Sequence, residues 1–428
     1  MRIIQLTPGT GTFLCGSCLR DNTLVKALCE LGHEAMIAPL YLPFSLEGAD
    51  AQEHSADVHM GGINVFLQQV LPGYRFLPRF LRDRLDSPRL LRFAAGRSKM
   101  TEAPGLGPLT LSMLRGEAGR QRTQLDELVQ WLKELPRPDV VILSNVMLIG
   151  LAREIGKALE CPVLCTLQGE APFLDNLAEP YRQQCWDTLK ERAKDVAAFL
   201  PVSEYTAELM GERLGLAPER RPVVWNGIEL DDFPEPAPAP AERPPTVGFL
   251  ARMCSDKGID QLLESFMIVN KRLPEARLVA AGVVLNEDKA LLKRLRGRVR
   301  EAGLEAQVDL RGPVSREAKL ALLREVDVLS VPATYGESFG LYLLEAWASG
   351  TPVVQPDCGA FPELLEATGG GLLYPPGDSR QHAACLLDLL QDRERAQALG
   401  LAARKVVFER FDAASMGRAV EQVCRLRS

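Results

Sequence analysis

Histidine is nearly missing from this chain. Its four histidines, His33, His54, His59 and His382, form no complete metal-ligand cluster. Ten cysteines are present, but they are scattered, and no second close pair joins Cys15 and Cys18. That spacing excludes a disulfide framework and a four-ligand zinc knuckle. Cys15-Gly16-Ser17-Cys18 is at most half of a metal site or a redox pair, and otherwise a loop-forming turn. No long apolar run occurs either. The best candidate for a membrane span, Val140 to Ala152, is too short and contains Ser144 and Asn145. The start, Arg2-Ile3-Ile4-Gln5-Leu6, reads as a strand, too short for a secretory apolar region. A net charge of −6 leaves no basic excess for a nucleic-acid binder. These absences predict a cytoplasmic chain without a spanning segment.

What is present is an ordinary globular composition, 46% hydrophobic and 25% charged, in 428 residues, enough for two full cores. Arg2 to Thr7 reads as a first strand, followed by the small-residue loop Pro8 to Ser17 and a helix ending at Leu31-Gly32. This is the usual opening of a doubly wound α/β domain, with the loop at the ligand crevice. Glu34 to Leu40, Val140 to Ser144, Val163 to Leu167 and Ala197 to Val202 fit later strands. Residues 74–99 break the rhythm with eight basic residues against two acidic ones, interleaved with Phe and Leu. Two readings stand: a solvated helical insertion packed on the domain, or a peripheral contact with an anionic membrane face.

Residues 233–245 form a proline-rich, semi-rigid linker. A second alternation follows, with strands at Val247 to Leu250, Leu278 to Gly282, Val308 to Arg311, Val326 to Val331, Thr351 to Gln355 and Gly371 to Tyr374. The expected architecture is two doubly wound, Rossmann-like α/β domains facing each other across a ligand cleft. Their bounds are 1–232 and 246–412, with a last helix in 413–428 crossing back to the first domain.

Between the strands near Val326 and Thr351, a helix should begin near Gly340 and stop at Ser349, capped by Gly350. Leu341, Leu344 and Ala348 make one apolar face, yet Glu345 shares it. A buried carboxylate there needs a partner. Glu337 precedes the helix N-terminus, whose free amides attract anions such as phosphate. The two carboxylates suit hydroxyls beside a phosphate; the alternative is an ordinary strand-helix-strand unit with one half-exposed Glu. Arg252 and Lys257, in the loop after the first strand of the second domain, could clamp a diphosphate or simply be solvated.

Taken together, Arg252-x4-Lys257-Gly258 and Glu337-Ser-Phe-Gly-x4-Glu345 resemble the retaining, nucleotide-sugar-dependent glycosyltransferases of family 4, which have the GT-B fold. Gly32-His33-Glu34, Val202-Ser203-Glu204-Tyr205, Asn226-Gly227-Ile228 and Gly350-Thr351-Pro352-Val353-Val354 are similar to the family's pattern as well, so the resemblance covers most of the chain. It implies transfer of a hexose from a nucleotide-diphosphate sugar to an acceptor hydroxyl on a glycan, lipid or small molecule. Arg252 and Lys257 would bind the diphosphate, assisted by Gly16 and the backbone of Ser338, Phe339, Gly340 and Leu341. Glu337 would hold donor-sugar hydroxyls and Glu345 the ribose hydroxyls. Gln168, Ser203 and Asn226 would face the sugar or acceptor. A front-face mechanism, with the departing phosphate taking the acceptor's proton, would explain the lack of an obvious protein base.

The chain departs from the family twice. The usual Gly-Gly of the first loop falls on Cys15-Gly16, and a commonly found His is replaced by Gln168, which can hydrogen-bond but not titrate. No two aspartates stand two apart, so the Asp-x-Asp of metal-dependent sugar transferases is missing, and the expectation is activity without metal or other cofactor. A nucleotide-sugar epimerase of the same architecture and a non-catalytic sugar-binding protein are the rival readings.

Overall fold

The computed structural model describes residues 1–9, 16–41, 105–236 and 243–427. The basic stretch 74–99, the loop residues 10–15 and the middle of the proline-rich stretch lie outside them. The chain divides into two compact units, Met1–Gly227 with Ala413–Ser428, and Ile228–Asp412.

The first unit holds a five-stranded sheet of β1 (Arg2–Thr7), β2 (Glu34–Pro39), β3 (Val140–Leu143), β4 (Val163–Leu167) and β5 (Ala198–Pro201). All its pairings are parallel, in the order β2-β1-β3-β4-β5. Strands such as Val140-Val-Ile-Leu143 are buried along their whole length, as continuous apolar runs covered on both faces must be. The helix Gly16–Glu30 covers one face with Leu24, Val25 and Leu28, and the last helix, Ala413–Arg427, packs there through Met416, Val420 and Cys424.

The second unit holds six parallel strands, β6 (Thr246–Leu250), β7 (Arg277–Ala281), β8 (Val308–Leu310), β9 (Val328–Leu329), β10 (Val353–Pro356) and β11 (Gly371–Tyr374). Their order is β11-β10-β9-β6-β7-β8. β9 is shorter than the apolar run Val326 to Val331 suggests, because only Val328 and Leu329 find register with β6. The start of the proline-rich stretch is not free linker. Arg404 Nη2 donates to Phe233 O, at its first residue, at 2.8 Å, and just before the stretch Ile228 N donates to Phe411 O at 3.0 Å, tying both to the second unit.

Both orders matter for function. In each sheet the chain winds outward from a central pair, β1 with β3 and β6 with β9. Crossover helices leave opposite faces at that pair, and a crevice opens outside the strands' carboxyl ends. The architecture is the α/β GT-B type, built of two doubly wound domains. No helix among the described residues is long and apolar enough to cross a membrane.

Candidate active site

In the second unit the crevice lies where the loops after β6 and β9 emerge. The β6 loop carries Arg252 and Lys257; the β9 loop carries Tyr335 and Glu337 and leads into the helix Leu341–Ala348. Backbone bonds hold the loops together, with Thr334 N donating to Asp256 O at 2.9 Å. The Glu337 backbone is clasped from the other side by the turn after β10. Ala360 N donates to Glu337 O at 2.9 Å, and a Cβ on Gly359 (φ 62°) would stand 2.5 Å from Glu337 N. Only glycine permits that approach.

Lys257 and Glu337 form an ion pair, with Tyr335 as a third member. Lys257 Nζ donates to Glu337 Oε2 and, at 2.6 Å, to Tyr335 Oη. Tyr335 and Tyr342 donate to the same carboxylate oxygen at 3.2 and 3.4 Å. Glu337 is 8% exposed, so these partners replace most of its hydration. Burial alone would lower the Lys257 pKa, but the Glu337 charge and the hydrogen bonds outweigh it and hold it above the ordinary lysine value. Burial and the same charge push the Tyr335 phenol up to about 12, and Tyr342 rises likewise, so both remain donors.

Arg252 is fixed through one edge of its guanidinium. Nε and Nη2 reach the two oxygens of Asp288 at 2.8 and 3.0 Å, and Nη2 reaches Glu287 at 2.5 Å. Asp288 is itself anchored, accepting from Leu285 N at 2.9 Å. Burial opposes the charge on Arg252, but these carboxylates win and raise its pKa. Nη1 has no hydrogen-bond partner among the described residues, so the aimed guanidinium keeps a donor edge for a ligand anion.

The helix Leu341–Ala348 starts after Gly340, whose φ of 88° makes the turn out of the loop. Leu343, Leu344, Trp347 and Ala348 are buried, and the Phe339 side chain is part of the core. Ser338 and Leu341 are half-buried at the helix start. Glu345 finds the partner its position demands in Lys319, Nζ to Oε1 at 2.5 Å. A recess of about 320 Å³ lies along Thr334, Tyr335, Gly336 and Cys358.

The first unit carries a second polar cluster, at the carboxyl ends of β1, β3 and β4. Arg20 and Asp21, on the helix Gly16–Glu30, are both fully buried and paired at 3.3 Å. Arg20 also donates to Asn226 Oδ1 at 3.3 Å and Thr166 Oγ1 at 3.4 Å, while Ser144 Oγ donates to Asp21. Burial pushes the Asp21 carboxyl up, with the Arg20 charge and Ser144 pulling against it. Gln168 Nε2 donates to Ser144 O at 2.7 Å and to Asp21 Oδ1 at 3.5 Å. The loop bearing it is pinned by buried Glu170, which accepts from the amides of Val146, Gln168 and Gly169, each at 2.9 Å.

Of the residues the sequence singles out, Lys257 and Glu337 meet across the two crevice loops, Arg252 on the same loop as Lys257 is bound to Asp288 and Glu287, and Gln168 and Asn226 share the Arg20–Asp21 network. Ser203 is fully buried and accepts from Thr206 N at 3.0 Å as the cap of the helix Glu204–Leu214. Gly16 is the exposed first residue of its helix. The sequence reading missed Tyr335, Asp288, Lys319, Arg20, Asp21 and Glu170. One signal was available: Arg20, Leu24 and Leu28 share a helical face, the same argument that drew attention to Glu345. Among the described residues no group of three or more His, Cys, Asp or Glu is placed to hold a metal. The nine described cysteines are free thiols.

Comparison with known proteins fits this geometry. Residues 233–406 match the profile of the Glycosyl transferases group 1, and residues 93–232 that of Glycosyltransferase Family 4. The chain is 35% identical over 184 residues to the phosphatidyl-myo-inositol mannosyltransferase of Mycobacterium leprae, covering 41% of this chain and 47% of that protein. It thus spans about half the length of the mannosyltransferases it matches. The glycogen synthase of Mycobacterium tuberculosis is 29% identical over 294 residues, covering 67% of this chain and 68% of the synthase. In fold, the chain is similar over its whole length to Anabaena HepE, solved with UDP and glucose (TM-score 0.71, 16% identity, all of both chains covered). A sucrose-phosphate synthase from Thermosynechococcus elongatus aligns as well (TM-score 0.71, 17% identity, 99% and 98% covered). With the two profiles together running from residue 93 to 406, the chain belongs to the family 4, group 1 glycosyltransferases.

Proposed function

We propose that this protein transfers a hexose from a nucleoside diphosphate sugar to an acceptor hydroxyl with retention of anomeric configuration. The observation that carries the reading is the Lys257–Glu337–Tyr335 cluster joining the two loops of one crevice, with Arg252 held by Asp288 on the same β6 loop as Lys257. A donor diphosphate needs cations aimed and held before it arrives, since charge stabilisation by preorganised groups costs no rearrangement during reaction. Arg252, oriented by Asp288, and Lys257, oriented by Glu337 and Tyr335, are such groups. The amides at the start of the helix Leu341–Ala348 add further donors for phosphate oxygens.

Glu337 takes the donor-sugar hydroxyls and Glu345 the ribose diol. Gln168 and Asn226 are assigned to sugar or acceptor hydroxyls; as an amide, Gln168 offers hydrogen bonds and no proton transfer. In the step itself the bond from the anomeric carbon to the diphosphate oxygen breaks and the bond to the acceptor oxygen forms on the same face. The acceptor's proton passes to the departing phosphate, and Arg252 and Lys257 hold the charge left there, so the step runs without a bound metal. A thermal-shift panel with UDP-, GDP- and ADP-hexoses, each with and without EDTA, tests the reading. One donor should stabilise the protein equally in both conditions and then support transfer to an acceptor; stabilisation by none would refute the donor site. Release of free epimer without an acceptor would instead identify an epimerase.

A further inference from the structure

We infer that Lys319 is a positioning residue for nucleoside binding, holding the Glu345 carboxylate aimed so that its remaining oxygen reads a vicinal diol. The inference rests on the reading of Glu345 as the ribose-binding carboxylate and adds a residue that neither the motif nor the comparisons single out. Lys319 lies on the helix Arg316–Glu325 and Glu345 on the helix Leu341–Ala348, 26 positions further along the chain. Their side chains are 21% and 19% exposed, so the pair sits mostly out of water.

The chemistry follows from that burial. A carboxylate so far out of water would, without a partner, carry an uncompensated charge, and beside a bound diphosphate it would also repel the ligand's phosphates. The Lys319 ammonium cancels that charge at the carboxylate itself. Its Nζ takes Oε1 at 2.5 Å, while Oε2 has no hydrogen-bond partner among the described residues. One oxygen is thus fixed and the other left to accept a ligand hydroxyl. An ammonium has three donors, and two remain for the diol's own oxygens. A diol set between a carboxylate that accepts and an ammonium that donates is held through both hydroxyls; a 2′-deoxynucleoside offers only one.

The test uses the full chain and calorimetric titration with the nucleoside diphosphate, among UDP, GDP and ADP, that binds the wild type, and with its 2′-deoxy analogue. Lys319→Met should weaken the ribonucleotide about tenfold, the size of one charge-assisted hydrogen bond, and should weaken the deoxy analogue far less. In a Glu345→Gln background the same change should cost less than threefold, and Lys319→Arg should keep most of the wild-type affinity. Equal losses for both nucleotides, or an undiminished loss in the Glu345→Gln background, would overturn the inference, because a purely structural lysine would behave that way. Unchanged affinity in Lys319→Met, with the wild type binding normally, would overturn it while leaving the proposed function standing. Failure of the wild type to bind any of the three nucleotides would overturn both.

Discussion

Replacing Lys257 by methionine tests the electrostatic design of the crevice, because the change keeps an unbranched apolar stem and removes the ammonium with its hydrogen bonds to Glu337 and Tyr335. In the wild type the Lys257 and Glu337 side chains are 20% and 11% exposed. Breaking a buried ion pair by deleting one member costs about 3–5 kcal/mol, since the other charge stays behind. Tyr335 and Tyr342 still donate to the stranded carboxylate, which puts the expected loss near the lower end, about 3 kcal/mol. For a unit of this size that is a fall in Tm of roughly 6–12 °C. Urea unfolding of the ligand-free protein, followed by the fluorescence of buried Trp347 in the same unit, reads the effect. Lys257→Met combined with Glu337→Gln should recover at least about 1.5 kcal/mol of the loss, because no lone charge then remains. A loss below about 1 kcal/mol, or a double variant that equals the sum of the singles, would refute the argument that this pair is held charged out of water.

Three further outcomes follow from other residues. His382 is buried, stacked on Tyr374 at 4.3 Å and bonded to Ser330 Oγ at 2.9 Å, and burial lowers its pKa to about 3. With an unfolded value of about 6.5, its contribution is intact above pH 6.5 and lost as pH falls from there toward 3. Stability should drop by about 1.4 kcal/mol between pH 7.5 and 5.5 through this group, a difference that His382→Phe should abolish in parallel urea titrations at the two pH values. Asp288→Ala should weaken nucleoside diphosphate binding about tenfold by releasing the Arg252 guanidinium, while Glu287→Ala, acting on the more exposed contact, should cost less than about threefold; equal calorimetric effects would contradict the orientation argument. Glu170→Ala removes the acceptor of three backbone amides near Gln168 and should cost about 2–3 kcal/mol by urea unfolding, with turnover falling as the Gln168 loop loosens. Full stability in that variant would show that the loop holds its shape without the carboxylate.

Much of this architecture was legible in the chain. Val140 to Leu143 and Val353 to Gln355 announce buried parallel strands because both faces of such a strand are covered and no alternation survives. Glu345 on an apolar helix face announced a missing partner, and Lys319 is that partner. The identity of the partner was not legible, since a residue 26 positions away on another helix carries no local mark of the contact. The same holds for Asp288, 36 positions from Arg252, and for Tyr335, whose phenol looks from the sequence like any loop aromatic. Ser203 shows the reverse case: the sequence singled out a hydroxyl, and the fold uses it to cap a helix.

The elements and their chemical endowment can be read from the sequence alone: apolar runs that must be strands, glycines that must turn, Arg252, Lys257 and Glu337 in the loops after strands, and Glu345 on the helix that follows. Periodicity and residue type act over a few positions, so a linear reading can resolve them. Which charges meet follows from the fold. The reversal of strand order at β6 and β9 brings a loop from one end of the second unit against a loop from its middle, and there Lys257 finds Glu337 and Tyr335. Pairing energies in a buried site depend on distances of a few ångströms and on lost hydration, and those are properties of the folded chain alone.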